Sequence, residues 1–138
     1  MTNSQSWLTR GVWRGGEICA LGSWGAEFYD LAPAPGEPVV MKHRYSAFVG
    51  TDLEIMLHSR ERRSVLATGV STNVCVESTA RDAAMRDYHV VMVDDCCGAM
   101  TKPEHEAALH NARNYFGRVL DSTTIIANWR SIRPASSR

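Results

Sequence analysis

A chain of 138 residues, 44% of them hydrophobic and 22% charged, has the composition of one globular domain with a modest core. Its 15 basic residues balance 15 acidic ones without a basic stripe, and no apolar run approaches a membrane span, so neither nucleic acid nor a membrane is an expected partner. The start of the chain, Met1–Ser6, lacks the charged and apolar regions of a signal peptide, which makes the cytoplasm the expected location.

The region before residue 38 shows little periodicity and predicts loop, with a short helix near Ala26–Leu31 that ends at the following prolines. Three tryptophans lie in this region, at Trp7, Trp13 and Trp24. Tryptophan is enriched where subunits meet, so these side chains favour surface cover or a subunit contact. A homo-oligomer is therefore expected.

From residue 38 onward, predicted strands alternate with predicted helices. The strands are expected over Pro38–Lys42, Ser64–Thr68, His89–Val93 and Arg118–Leu120, and the helices over residues 52–60, 75–87, 102–116 and 122–126. Capping-box patterns at Thr51–Glu54 and Thr101–Glu104 mark two helix starts. This alternation implies crossover connections and a parallel sheet, so the predicted fold class is α/β. Residues 1–130 are expected to form one domain, with residues 131–138 as a disordered tail.

A strand, a tight polar turn and a helix follow one another across Val65–Thr79, with Cys75 at the helix start. A helix N-terminus offers unpaired N–H groups and a partial positive charge, and both favour a thiolate over a thiol. The same N–H groups could hold a developing oxyanion. On position alone, Cys75 is either a nucleophile or a small buried hydrophobe, which is the usual role of a cysteine.

Lys42 ends the predicted strand Pro38–Lys42, and the turn Gly69–Cys75 follows the next predicted strand. Ligands of parallel sheets bind outside the carboxyl ends of the strands, so both features are expected to face one crevice. A lysine at a strand end is more often a solvated surface charge, and on the pattern alone that interpretation also stands.

The four cysteines do not form a disulfide or zinc framework, because Cys96 and Cys97 are adjacent and no C-x-x-C spacing occurs. Free thiols suit a reducing compartment. Cys19, Cys96 and Cys97 are expected to be packing residues, and neither a metal nor a cofactor is predicted.

Two blocks of the chain, Gly69–Ala83 and Lys42–Phe48 with Thr51 and Leu53 after it, resemble the nucleophile and lysine segments of the isochorismatase-like cysteine hydrolases. The resemblance runs from about Gly22 to about Thr124 and is closest to the branch that includes ureidoacrylate amidohydrolase and N-carbamoylsarcosine amidase. It implies a Rossmann-like fold in which helices cover both faces of a parallel sheet.

The resemblance also implies a reaction and a set of site residues. In such enzymes the cysteine, here Cys75, attacks a carbonyl to form a thioester, assisted by the lysine, here Lys42. The oxyanion hole would use the backbone N–H groups of Ser71 and Cys75, beside a cis Val70–Ser71 peptide bond. The expected substrate is a small ureido, carbamoyl or amide compound whose C–N bond is hydrolysed. Residues expected to line its pocket are Tyr45, Phe48, Thr72 and Asn73.

The aspartate that serves such enzymes as general base follows an early strand as Asp-x-Gln, and this chain contains no such element. The chain therefore resembles the C-terminal two-thirds of the family domain, without the first two strands. A general base typically contributes about 10²–10⁴-fold to a rate, so the chain as it stands is expected to turn over poorly. The alternatives are an isochorismatase-type vinyl-ether hydrolase, or a non-catalytic remnant that binds or oligomerises.

Overall fold

The computed structural model describes residues 19–131. The chain divides into two compact units, and the division falls after Val39. Of the tryptophans predicted to cover a surface, Trp24 lies in the first unit and is exposed, whereas Trp7 and Trp13 lie outside the described residues.

The first unit contains one short regular element among its described residues, a 3₁₀ helix over Trp24–Ala26. The predicted helix over Ala26–Leu31 is wrong. Asp30 adopts a left-handed φ of 56°, which an α-helix does not accommodate. Phe28 and Leu31 stay exposed, so no buried apolar face stabilises a helix there.

The second unit is built on a sheet of three parallel strands in the order β1–β2–β3. Its strands are β1 (Ser64–Val70), β2 (His89–Gly98) and β3 (Arg118–Leu120), and its helices are α1 (Leu53–Ser59), α2 (Glu77–Ala84), α3 (Lys102–Asn111) and α4 (Ser122–Ser131). One π-helical turn, Thr72–Val76, precedes α2, and another, Ala112–Phe116, follows α3. The predicted parallel α/β sheet and its last three strands are confirmed, and β1 and β2 run longer than expected.

The predicted strand over Pro38–Lys42 is wrong, because residues 38–42 form no strand. A strand needs a neighbouring backbone to receive its hydrogen bonds, and within the described part of the chain β1 pairs with β2 alone. Val39 and Met41 are exposed, which agrees with an unpaired segment.

The two predicted capping boxes have different outcomes. At the start of α3 the Thr101 hydroxyl accepts from the Glu104 N–H, and the Glu104 carboxylate accepts from the Thr101 N–H at 3.0 Å. At the start of α1 the box is wrong, because the cap residue is Asp52 and its side chain makes no capping bond. Glu54 instead accepts from Arg86 at 3.1 Å, so an ion pair across the fold has replaced the local cap.

The last helix is longer than predicted. The Asp121 carboxylate accepts from the Thr124 N–H at 2.7 Å, and α4 continues to Ser131. Ser131 is therefore helical rather than the first residue of a tail, and residues 132–138 lie outside the described residues. No helix within residues 19–131 is both long enough and apolar enough to cross a membrane.

The core lies between the sheet and the helices of the α2–α3 side. Ala80 and Ala83 of α2 and Met92 of β2 have no exposed surface, and they pack in one cluster with Val90. Side chains alternate along a strand, so Val93 of β2 points to the opposite face from Met92. Ile125 of α4, which contacts β2, is buried outside that cluster. Helices thus cover both faces of the sheet, as the three-layer prediction required.

Candidate active site

Cys75 lies at the carboxyl end of β1, in a turn that begins directly after the strand. Gly69 adopts a φ of 111°, a conformation that L side chains rarely adopt, at an irregularity in the pairing of β1 with β2. The Val70–Ser71 peptide bond is cis, as the resemblance implied. The chain then forms the π-helical turn Thr72–Val76. Cys75 therefore lies inside this turn rather than at the first residue of the α-helix.

We call Ser71–Val76 the nucleophile turn. The Ser71 carbonyl accepts hydrogen bonds from the N–H groups of Val74 and Val76, at 3.1 and 3.3 Å. These two bonds close the turn on itself, and the Cys75 side chain is half-buried. The predicted oxyanion donors, the N–H groups of Ser71 and Cys75, thus belong to one closed loop of backbone.

A chain of polar side chains holds the nucleophile turn against α3. Thr72 is fully buried, and its Oγ1 lies 2.9 Å from Nδ1 of His105. Nε2 of His105 lies 2.9 Å from Oδ1 of Asp94, and Arg113 lies 3.8 Å from the other oxygen of that carboxylate. Sequence reasoning missed His105. A usable signal was its place in the first turn of a capped helix that follows a strand containing Asp94.

Lys42 extends its ammonium to the cysteine. Its Nζ lies 3.5 Å from Sγ of Cys75 and 3.2 Å from the carbonyl oxygen of Arg44. An ammonium at hydrogen-bonding distance from a sulfur favours the thiolate form. Among the described residues no salt bridge joins Lys42 to a carboxylate, so the cation is directed at the sulfur and a carbonyl. The structure brings the two predicted catalytic side chains together.

Thr79 connects the two motifs through a single hydroxyl. Its Oγ1 accepts from the Ala47 N–H at 3.1 Å and donates to the Cys75 carbonyl at 2.7 Å. The loop that follows Lys42 is thereby attached to the nucleophile turn. Sequence reasoning missed this residue too, although Thr79 lies one helical turn after Cys75 and so faces the same side.

The four predicted pocket residues divide into two pairs. Phe48 packs in the core with its ring centroid 6.0 Å from that of Tyr88, and Thr72 is bonded to His105 with no exposed surface. Phe48 and Thr72 are therefore buried, and pocket lining by these two residues stays a prediction. Tyr45 is partly exposed and Asn73 is half-buried, so for these two residues pocket lining stays a prediction.

The other thiols have different surroundings. Cys19 and Cys96 are exposed, and no disulfide forms. Cys97 donates to the Ala67 carbonyl at 3.6 Å, and burial raises the pKa of its thiol. Cys75 is the cysteine with an ammonium beside it. Within residues 19–131 no three His, Cys, Asp or Glu side chains group closely enough to hold a metal ion.

The isochorismatase domain family matches residues 4–124, which is most of the chain. The chain belongs to the isochorismatase family. Membership agrees with the parallel sheet, with the cis bond before the nucleophile turn and with the order of the lysine and cysteine motifs.

Three relatives illustrate where in the isochorismatase family the chain falls. Ureidoacrylate amidohydrolase RutB of Cronobacter sakazakii is 42% identical over 108 residues, which cover 77% of this chain and 47% of the relative. The structure of an isochorismatase family protein from Desulfovibrio vulgaris aligns with a TM-score of 0.78 and 35% identity, over 85% of this chain and 62% of that one. N-carbamoylsarcosine amidase from Thermoplasma acidophilum aligns with a TM-score of 0.70 and 32% identity, over 78% and 61% of the two chains.

The chain spans about half the length of the amidohydrolase relatives that it matches.

The two acidic residues in the middle of β2 form hydrogen bonds and ion pairs with residues other than Cys75. Asp94 is held by His105 and Arg113, and Asp95 accepts from the Ser122 N–H at 2.8 Å. Hydrogen bonds from Ser122 lower the pKa of Asp95. Both carboxylates are thus engaged by partners other than Cys75.

Proposed function

We propose that this protein hydrolyses a C–N bond in a small ureido, carbamoyl or amide substrate through a thioester on Cys75. The observation that carries the proposal is the 3.5 Å contact between the Lys42 ammonium and the Cys75 sulfur. The names of two relatives support the substrate class, since one is a ureidoacrylate amidohydrolase and another an N-carbamoylsarcosine amidase. A cytoplasmic location and self-association belong to the same proposal.

The first half of the reaction forms the thioester. The Cys75 thiolate attacks the substrate carbonyl carbon, a C–S bond forms, and the carbonyl electron pair moves to oxygen. The N–H groups of Ser71 and Cys75 would hold that oxyanion. When the carbonyl re-forms, the C–N bond breaks, and the nitrogen leaves with a proton from the Lys42 ammonium.

The second half of the reaction regenerates the enzyme. Water attacks the thioester carbon and gives one proton to the neutral Lys42 amine, so a C–O bond forms while the C–S bond breaks. Cys75 returns as thiolate and Lys42 as ammonium, and the acid is released. The net reaction consumes one water and yields an acid and an amine or ammonia.

One observation favours a second candidate function, a non-catalytic protein that only binds a small molecule. Within the described part of the chain, no salt bridge joins Lys42 to a carboxylate, and Asp94 is engaged by His105 and Arg113. Without a general base the hydrolysis is expected to be about 10²–10⁴-fold slower. Slow turnover and no turnover are thus the two outcomes that must be separated.

The test combines ammonia release with detection of the covalent intermediate. The wild-type chain is incubated with ureidoacrylate-like and carbamoyl substrates, and its peptides are mapped by mass spectrometry. We expect slow ammonia release and an acyl adduct on Cys75, both abolished in Cys75→Ala. Cys75→Ser should be far weaker than wild type, because a serine hydroxyl without a strong base is a poor nucleophile.

The matched control is Cys96→Ala, because Cys96 is an exposed thiol without a lysine contact. It should retain wild-type rates. Full ammonia release by Cys75→Ala would move the reaction to another residue. Absence of both ammonia and adduct from every form, in a protein that binds these compounds, would establish the second candidate.

A further inference from the structure

A buried hydroxyl, an imidazole and a carboxylate form a continuous chain behind the nucleophile turn. Thr72 Oγ1 lies 2.9 Å from His105 Nδ1, and His105 Nε2 lies 2.9 Å from Asp94 Oδ1. Thr72 has no exposed surface, whereas the His105 and Asp94 side chains are 20% and 44% exposed. This series of hydrogen-bonded side chains therefore runs from the interior behind Cys75 to the surface beside α3.

The hydrogen-bond directions follow from what each group can donate. The ionised Asp94 can only accept, so Nε2 of His105 carries a proton and donates it. In the neutral ring, Nδ1 then has a lone pair and accepts from the Thr72 hydroxyl. Arg113 lies 3.8 Å from the second Asp94 oxygen.

This arrangement has the order of groups found in the triads of serine hydrolases, but it cannot act as one. A nucleophile must reach the substrate carbonyl, and Thr72 is fully buried. The Thr72 hydroxyl is also the first side chain of the π-helical turn that contains Cys75. Its hydrogen bond to His105 therefore holds the turn from behind.

We propose that His105, with Nε2 donating to Asp94 and Nδ1 accepting from the Thr72 hydroxyl, is a positioning residue that holds the nucleophile turn so that Cys75 meets Lys42. The inference rests on the proposed function, since it makes His105, a residue of α3, responsible for the position of Cys75. Fixing Thr72 constrains Cys75 because the Ser71 carbonyl binds the N–H groups of Val74 and Val76 on either side of it. Loss of the Thr72–His105 bond should loosen the turn and separate the sulfur from the ammonium.

The test measures the alkylation rate of Cys75 by iodoacetamide near neutral pH, with adducts mapped by peptide. His105→Leu removes both ring nitrogens and should slow labelling several-fold. His105→Asn keeps an acceptor near the Nδ1 position and should restore most of the rate. Thr72→Val should resemble His105→Leu, and the double variant should be no slower than either single one, because both remove the same bond.

The matched control is His110→Leu. His110 lies on α3, is exposed and lines the same open depression as His105, whereas the Thr72 hydroxyl is bonded to His105. It should label like wild type. Alkylation requires no turnover, so this result stands even where the protein proves not to be a hydrolase.

Two results would overturn the inference. One is a wild-type labelling profile in His105→Leu, which would make the Thr72–His105 bond a contribution to folding alone. The other needs no variant and covers the case in which His105→Leu fails to fold. Nitrogen NMR of the wild-type imidazole should show an unprotonated Nδ1, and a proton on Nδ1 would contradict the assignment.

Discussion

The two halves of the candidate site are held in different ways. The nucleophile turn is closed by its own backbone and bound to His105 by a fully buried side chain. The lysine segment, which we define as Val40–Gly50, has no helix or strand, and Lys42 is exposed. It is attached through the hydroxyl of Thr79, the buried ring of Phe48 and the Lys42–Cys75 contact. The cysteine is thus preorganised by buried polar bonds, whereas the lysine segment depends on a few links to the nucleophile turn, to α2 and to the core.

The largest expected loss of stability comes from a substitution of Gly117, which lies between the π-helical turn Ala112–Phe116 and β3. A Cβ there would lie 2.9 Å from the Val90 carbonyl oxygen and 3.2 Å from the Val90 side chain. Gly117→Ala should lower the free energy of unfolding by about 1–3 kcal/mol, measured by urea denaturation, because a strand backbone cannot easily yield. The rate of Cys75 labelling in the folded variant should stay unchanged, because the substitution should lower the global stability without altering the position of Cys75.

The matched control for that substitution is Gly98→Ala, where the added Cβ would meet only the Val70 side chain at 3.4 Å. Gly98→Ala should lower the free energy of unfolding clearly less than Gly117→Ala. Equal losses in the two variants would mean that the close approach of Gly117 to Val90 has no special weight.

The next largest effect is expected at Thr79, which joins the two halves. Thr79→Val keeps the shape but leaves the Ala47 N–H and the Cys75 carbonyl without their partner. The expected loss is about 1–2 kcal/mol, with faster hydrogen exchange at the Ala47 amide than at amides of the nucleophile turn. Thr79→Ser retains the hydroxyl and should be close to wild type. Equal acceleration in both halves would show that they are not independently held.

Substitution of Lys42 should hardly change stability but should change chemistry. Because the side chain is exposed, Lys42→Ala should alter the free energy of unfolding by less than about 0.5 kcal/mol. Labelling of Cys75 should slow, because the sulfur loses the ammonium 3.5 Å away. Lys102→Ala, which removes an exposed lysine paired with Glu106, is the control. In the wild type, Cys75 should label before Cys96, and the reverse order would contradict the nucleophile assignment.

The smallest effect is expected at Asp121, at the start of α4 and away from both halves. Hydrogen bonds from Thr123 and Thr124 lower the pKa of Asp121 from 3.8 to about 2. The unfolded chain therefore takes up this proton first as the pH falls, and the stabilisation is complete above pH 3.8 and disappears as the pH approaches about 2. Asp121→Asn keeps a capping side chain without a titration, so its melting temperature should fall less than that of wild type across this range. Parallel curves would contradict the pKa assignment.

Much of the secondary structure could be predicted because its signals are local. The runs at Ser64–Thr68 and His89–Val93 needed only their own residues to indicate strands, and Thr101 and Glu104 satisfy each other within one turn. The strand at Pro38–Lys42 failed because a strand exists only where another backbone accepts its hydrogen bonds. The capping box at Thr51 failed because the Glu54 carboxylate pairs with Arg86, 32 residues further along the chain.

The candidate site shows the same difference between local signals and long-range contacts. By itself the sequence determined that Cys75 follows a strand and a tight turn, and its two motifs were sufficient to name Cys75 and Lys42. Only the tertiary structure decided that these residues, 33 positions apart, lie 3.5 Å from each other, and that Thr72 is turned inward to His105, also 33 positions away. Such contacts depend on how helices pack on a sheet, which no local pattern of residues encodes.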